Sequence, residues 1–210
     1  HYRKNLLGVP EHTAVDPNFM TSIPNVLTIA GSDSSGGAGI QADIKTFTAL
    51  NVYGASVVTN ITAQNTLGVH SVHPLPVRVV EEQLEAVLTD IRFDAIKIGM
   101  LYSEELICLV SNILKKHADT PIIIDPVLVS SSGRDLLRPS AIRGMIDELF
   151  PLAYLITPNL PEAARLLDRK SPIEREDADL ATIELAERFL CNVLLKGGHG
   201  EGYDLIDRLY

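Results

Sequence analysis

Short apolar runs alternate along the chain with longer stretches in which apolar residues recur every three or four positions. Six runs predict strands: Val26–Ala30, Ser56–Asn60, Ala95–Ile98, Pro121–Asp125, Tyr154–Ile156 and Asn192–Leu195. Several are continuously apolar, as expected of strands covered on both faces. Between them, Ile40, Ile44 and Phe47 step at helical spacing. Val79, Val80, Leu84, Val87, Leu88 and Ile91 make one helical stripe, and Leu106, Ile107, Val110, Ile113 and Leu114 make another. Further helices are predicted over Pro139–Leu149, Leu160–Leu167 and Ala178–Leu190, with Pro161 in a first turn, where its missing N–H costs nothing. Alternating strand and helix predicts an α/β fold, a mostly parallel sheet layered between helices with right-handed crossovers. The polar segment Asp168–Asp177 predicts a surface loop, and no repeat or linker interrupts the pattern.

Length and composition narrow the class. The 210 residues suit one domain with a sizeable core, and 46% hydrophobic with 21% charged content is ordinary for a globular protein. A net charge of −9 makes nucleic acid a poor partner, without excluding a local site for one phosphorylated metabolite. No run approaches the ~18 apolar residues of a membrane span. Cys108 and Cys191 fall in a helical and a strand pattern and read as two buried thiols, and the six histidines do not pair at metal-ligand spacing. Residues 1–24 lack the apolar core of a signal peptide and are expected to be an N-terminal arm, or a remnant preceding a start at Met20. These features predict a reduced, soluble, cytoplasmic domain over residues 25–210.

In parallel sheets ligands gather beyond the carboxyl ends of the strands. Here those ends run into "GSDSSGGAG", "TNITAQNT", "KIGM", "DPVLVSSSG", "TPNLPE" and "KGGHGEG". Turn chemistry explains part of this. A lysine, an aspartate and an asparagine converging on one edge point to a site. The first loop fails the P-loop pattern, because Gly37 stands where lysine is needed. It meets the dinucleotide pattern as Gly37-x-Gly39-x-x-Ala42, but five residues intervene after Gly31 and the second strand ends in Thr59 and Asn60 rather than an acid. The glycines therefore predict a close backbone approach at a helix N-terminus, where free N–H groups favour an anion.

Together, "AGSDSSGGAGIQADIKTF", "AQNT", "KIGML", "DPVLVSSSG", "LITPNLPEA" and "LLKGGH" resemble the hydroxymethylpyrimidine/phosphomethylpyrimidine kinases of thiamine biosynthesis, a branch of the ribokinase-like superfamily. The resemblance runs from Pro24 to His199, in order; its first motif is shared with pyridoxal kinases. It implies a three-layer α/β/α ribokinase-like fold and ATP-dependent phosphorylation of 4-amino-5-hydroxymethyl-2-methylpyrimidine and then of its monophosphate. It implies that Gln64 reads the aminopyrimidine, a role its amide suits by offering a donor beside an acceptor. By the same resemblance Met100 and Val127 wall the ring, and Gly31, Ala38 and Asp43 line the hydroxymethyl end. Asp43 has a second reading, as a first-turn helix charge. Lys196 matches a lysine near the ATP phosphates, and Asp125, Asn159 and Glu162 match residues that hold Mg²⁺, usually through water. Asn159 and Glu162 also have the spacing of a helix capping box.

The resemblance implies one feature that this sequence lacks. The family continues to a Gly-Thr-Gly-Cys or Gly-Thr-Gly-Asp turn, an anion hole carrying the base, whereas the sequence ends at Tyr210. The expectation is that this C-terminal segment is missing rather than that catalysis has been lost; the base stays unassigned. A pyridoxal kinase and a non-catalytic pyrimidine-binding module are the alternatives. The resemblance also implies a homodimer.

Overall fold

The computed structural model describes residues 23–117, 119–128, 139–198 and 205–210. Most of the expected N-terminal arm, "VSSSG" of the fourth loop and His199 of "KGGH" lie outside these residues.

Eight strands form one sheet among the described residues, in the order β3-β2-β1-β4-β5-β6-β7-β8. They are β1 (Asn25–Asp33), β2 (Tyr53–Asn65), β3 (Gly68–Pro74), β4 (Ala95–Ile98), β5 (Ile122–Ile124), β6 (Leu155–Ile156), β7 (Asn192–Leu195) and β8 (Arg208–Leu209). The six strands between β3 and β8 in that order are parallel to one another, and β3 and β8 close the two margins antiparallel. The helices are α1 (Gly39–Ala49), α2 (Val77–Asp90), α3 (Glu104–Leu114), α4 (Pro139–Gly144), α5 (Leu160–Leu166) and α6 (Ala178–Phe189). The architecture is the three-layer α/β/α arrangement with a mostly parallel sheet.

Six of the eight strands overlap the predicted runs, and β1 and β2 continue into the segments read as loops, to Asp33 and Asn65. The other two, β3 and β8, lack an apolar run. β3 reads "GVHSVHP" and has no buried position. It forms because the second half of β2 projects past the parallel strands and folds back on itself. The predicted helix over Pro139–Leu149 is α4 followed by one wide π turn, Met145–Leu149. The polar segment 168–177 carries one buried residue, Ile173. Both cysteines are half-buried rather than buried, and burial pushes the Cys191 thiol up to about 11.

Cover on the two sheet faces is unequal. Leu27, Ile29, Ile96, Ile98, Ile122, Ile124, Ile156, Val193 and Leu195 expose at most 1% and make the dry core with α3 and α6. Each such side chain contributes about 1.5–3 kcal/mol by leaving water. On the other face α1 packs over β1 and β2, where Gly54 abuts Ile44 and Phe47. Farther along that face Lys97, Ile123, Leu155 and Leu194 are half-buried. The strand register puts Thr28 of β1 beside Lys97 of β4 there.

Candidate active site

The β1–α1 loop folds around Asp33. One carboxylate oxygen accepts from the Ser35 N–H at 2.8 Å and its hydroxyl at 2.8 Å. The other accepts from the N–H groups of Gly37 at 3.0 Å and Ala38 at 2.8 Å. The residue is buried, with 3% exposed. Burial pushes its carboxyl up, but the Ser35 hydroxyl and the three backbone N–H groups outweigh that and hold it below the ordinary carboxylate value. The turn needs Gly36 at φ +74° and Gly39 at φ +57°, where a Cβ on Gly39 would meet the Gly31 carbonyl. Gln41 completes the enclosure: its Oε1 accepts from Asp33 N at 2.8 Å and its Nε2 donates to Ser32 Oγ at 2.7 Å.

Two of the N–H donors that lead into α1 are thereby taken. Those of Gly37 and Ala38 already bind an anion, and the anion is the chain's own. The glycines let the loop close on a carboxylate.

Opposite this loop stands the projecting half of β2. Its inward positions alternate as Asn60, Thr62 and Gln64, while Ile61, Ala63 and Asn65 face out. All three inward side chains form hydrogen bonds, which is why the sequence looks polar where a strand continues. The Thr62 hydroxyl donates to the Ser32 carbonyl at 3.0 Å. Gln64 follows a one-residue register slip against β3. Ser34 Oγ accepts from its backbone N–H at 2.9 Å and donates to its carbonyl at 2.8 Å. The Gln64 side-chain oxygen has one long contact, to the Thr62 hydroxyl at 3.3 Å, and its amide NH₂ has no partner among the described residues.

Asn60 ties this wall to Met100. The Thr59 hydroxyl donates to the Met100 carbonyl at 2.7 Å, and the Asn60 amide donates to the Thr59 oxygen at 3.1 Å. Asn60 Oδ1 is buried without a partner. It lies 2.4 Å from where a Cβ on Gly31 would stand, so only glycine fits there beside this amide. Hydrogen bonds thus tie Ala38 to Asp33, Gln64 to Ser34 and Met100 to Thr59, while Gly31 abuts Asn60 by close packing.

Asp43 is connected differently. It is the fifth residue of α1 and not in its first turn, which corrects the helix-charge reading. Its Oδ2 accepts from the Thr28 hydroxyl at 2.6 Å and from Lys97 Nζ at 2.9 Å. Lys97 leans along its strand toward Gly99, next to Met100.

A second cluster gathers at the ends of β5, β6 and β7. Lys196 Nζ donates to Asp125 Oδ1 at 2.8 Å. Asn159 caps α5 in a full capping box: its Oδ1 accepts from Glu162 N, and Glu162 Oε2 accepts from Asn159 N, each at 2.9 Å. Glu162 Oε1 also accepts from Leu128 N at 3.0 Å. Burial raises the Glu162 carboxyl above its ordinary value; the Asn159 N–H opposes this, Asp125 adds repulsion, and Lys196 and the Leu128 N–H lower it. Asn159 and Lys196 pair as an isolated bridge. Val127 sits between Asp125 and this tie at φ +46°, a strained conformation for a β-branched residue.

Among the described residues no three His, Cys, Asp or Glu side chains are grouped to enclose a metal. The donor set of Asp125, Glu162 and Asn159 fits an ion that keeps its waters and takes one or two carboxylates, as Mg²⁺ does. It does not fit a fully enclosed site. A cavity of about 340 Å³ lies at the opposite edge of the sheet, between Ile91, Phe93, His117 and Thr120, and none of the predicted residues lines it.

Comparison with known proteins decides the family. The sequence profile described as phosphomethylpyrimidine kinase matches residues 33–210. The chain belongs to the phosphomethylpyrimidine kinase family. It is 46% identical over 178 residues to the hydroxymethylpyrimidine/phosphomethylpyrimidine kinase of Bacillus subtilis, covering 85% of this chain and 65% of that protein. The crystal structure of a phosphomethylpyrimidine kinase from Clostridium difficile superposes with a TM-score of 0.78 at 46% identity, covering 89% of this chain and 84% of the other. A pyridoxal kinase from Staphylococcus aureus, solved with a nucleotide analogue and pyridoxal, gives 0.80 at 37% identity, with 90% and 68% covered. The chain spans about two thirds of the Bacillus protein and 38% of a bifunctional thiamine-biosynthesis protein of Geobacter sulfurreducens.

Against the family's expected residues, the fold adds Asp33, Ser34, Thr59, Asn60, Thr28 and Lys97. Asp33 carries a legible signal, an aspartate leading into a glycine-rich turn. Ser34 and Lys97 carry none, since their partners are 30 and 54 positions away.

Proposed function

We propose that this protein uses ATP to phosphorylate the hydroxymethyl oxygen of 4-amino-5-hydroxymethyl-2-methylpyrimidine, and then phosphorylates the monophosphate. The observation that carries the reading is Gln64. Its backbone is pinned and its amide edge is left largely unengaged, beside the loop that ends at Ala38. An amide edge pairs with an aminopyrimidine as it pairs with adenine, a ring nitrogen beside an exocyclic amine. Met100 and Val127 would wall the ring, and Gly31, Ala38 and Asp43 would line its hydroxymethyl end. Lys196 would place a compact charge on the transferring phosphoryl group. Asp125, Glu162 and Asn159 would hold Mg²⁺ through its waters; when bound, Mg²⁺ neutralises charge on the triphosphate. A homodimer in the cytoplasm completes the reading, with neither nucleic acid nor membrane as a partner. Among the described residues no helix is long and apolar enough to cross a membrane.

The likeness to the Staphylococcus pyridoxal kinase favours one second reading, phosphorylation of pyridoxal. Comparing kcat/KM for the two alcohols in the full-length protein separates the two. Gln64→Ala is expected to weaken pyrimidine binding about 10- to 100-fold, the range of a bidentate amide–base pair. Unchanged affinity in that variant, measured by calorimetry, overturns the assignment of Gln64. Tight pyrimidine binding with no turnover in the full-length protein would leave a binding module in place of a kinase.

A further inference from the structure

We propose that Ser34 is the positioning residue that sets Gln64 for reading its ligand. β1 and β2 pair as far as Asp33 opposite Thr62. The β1 backbone then turns away to wrap the Asp33 carboxylate, and Gln64, two residues farther along β2, loses its neighbour on that side. The Ser34 hydroxyl takes the place of the missing strand. It accepts from Gln64 N and donates to Gln64 O, one donor and one acceptor as a ladder partner would provide. Ser34 is itself held because Asp33, the residue before it, is fixed by four donors and by Gln41. The glycine-rich loop therefore governs the backbone of Gln64, whose amide NH₂ has no partner among the described residues. On the other side the register of Gln64 slips against β3, so that pairing alone leaves its backbone loosely specified.

The inference rests on the proposed reading that Gln64 meets the aminopyrimidine. The test is calorimetric titration of the full-length protein with 4-amino-5-hydroxymethyl-2-methylpyrimidine and, separately, with ATP. Ser34→Ala is expected to raise the pyrimidine Kd about three- to tenfold, the worth of an ordinary hydrogen bond or two, and to leave the ATP Kd unchanged. Ser34→Thr, which keeps the hydroxyl, is expected to restore affinity. In a Gln64→Ala background the Ser34→Ala loss should vanish, because there is no amide left to place. Parent-like pyrimidine affinity in Ser34→Ala overturns the inference. So does an equal loss with and without Gln64, which leaves the Gln64 reading standing. Parent-like affinity in Gln64→Ala alone overturns the Gln64 reading, and this inference with it.

Discussion

Asp33 is a carboxylate held by four donors of its own loop, and its charge is what those donors require. Asp33→Asn keeps the shape but loses the anion. Hydrogen bonds to a charged group contribute about 1.5–3 kcal/mol, so this variant is expected to lose about 2 kcal/mol at pH 7. The pH dependence has a definite sign. The folded carboxyl lies below its ordinary value, so its stabilisation is complete above about pH 4 and is lost as pH falls through the depressed value. The gap in Tm between parent and variant should be constant near neutrality and close on acidification; calorimetry from pH 7 to pH 3 checks this. Gly31 makes a steric demand instead. Gly31→Ala places a methyl 2.4 Å from the buried Asn60 amide and is expected to cost about 1–3 kcal/mol. Combining it with Asn60→Ala should recover much of that loss, as read by a denaturant double-mutant cycle.

Elements that bury an apolar row were legible in the sequence, and those specified by pairing were not. Ile122–Ile124 and Asn192–Leu195 announce themselves because side chains on at least one face are fully buried. β3 has no buried face, and β8 is two residues placed by β7, so neither leaves a periodic trace. The capping box of α5 was readable from Asn159 and Glu162 three residues apart, and it formed. Its second tie, from Leu128 N to Glu162, joins residues 34 apart and no local pattern signals it. In "SDSSGG" the aspartate and the turn are legible, but the reach of Asp33 to the N–H groups of Gly37 and Ala38 is not. Asn159→Ala is expected to cost about 1 kcal/mol, and Asn159→Asp to retain the cap, since Asp and Asn serve comparably at helix starts. Thermal melts of the two variants give the comparison.

At the scale of the molecule, two clusters sit along one edge of a sheet, one built on β1, β2 and β4 and one on β5, β6 and β7. Occupying the first should stabilise the whole fold. Pyrimidine at about a hundred times its Kd is expected to add about 2.7 kcal/mol and to raise Tm by roughly 5–10 °C. Pyridoxal at the same concentration should do less, and an equal shift would favour the second reading. The self-closed loop at Asp33 also decides where disorder is removed. Fixing a residue's backbone costs about 1–2 kcal/mol of entropy, and residues 33–38 are fixed by groups of their own chain. That ordering belongs to the folding equilibrium and not to ligand capture. An arriving molecule meets this stretch of wall already set, and none of its binding free energy goes to ordering residues 33–38.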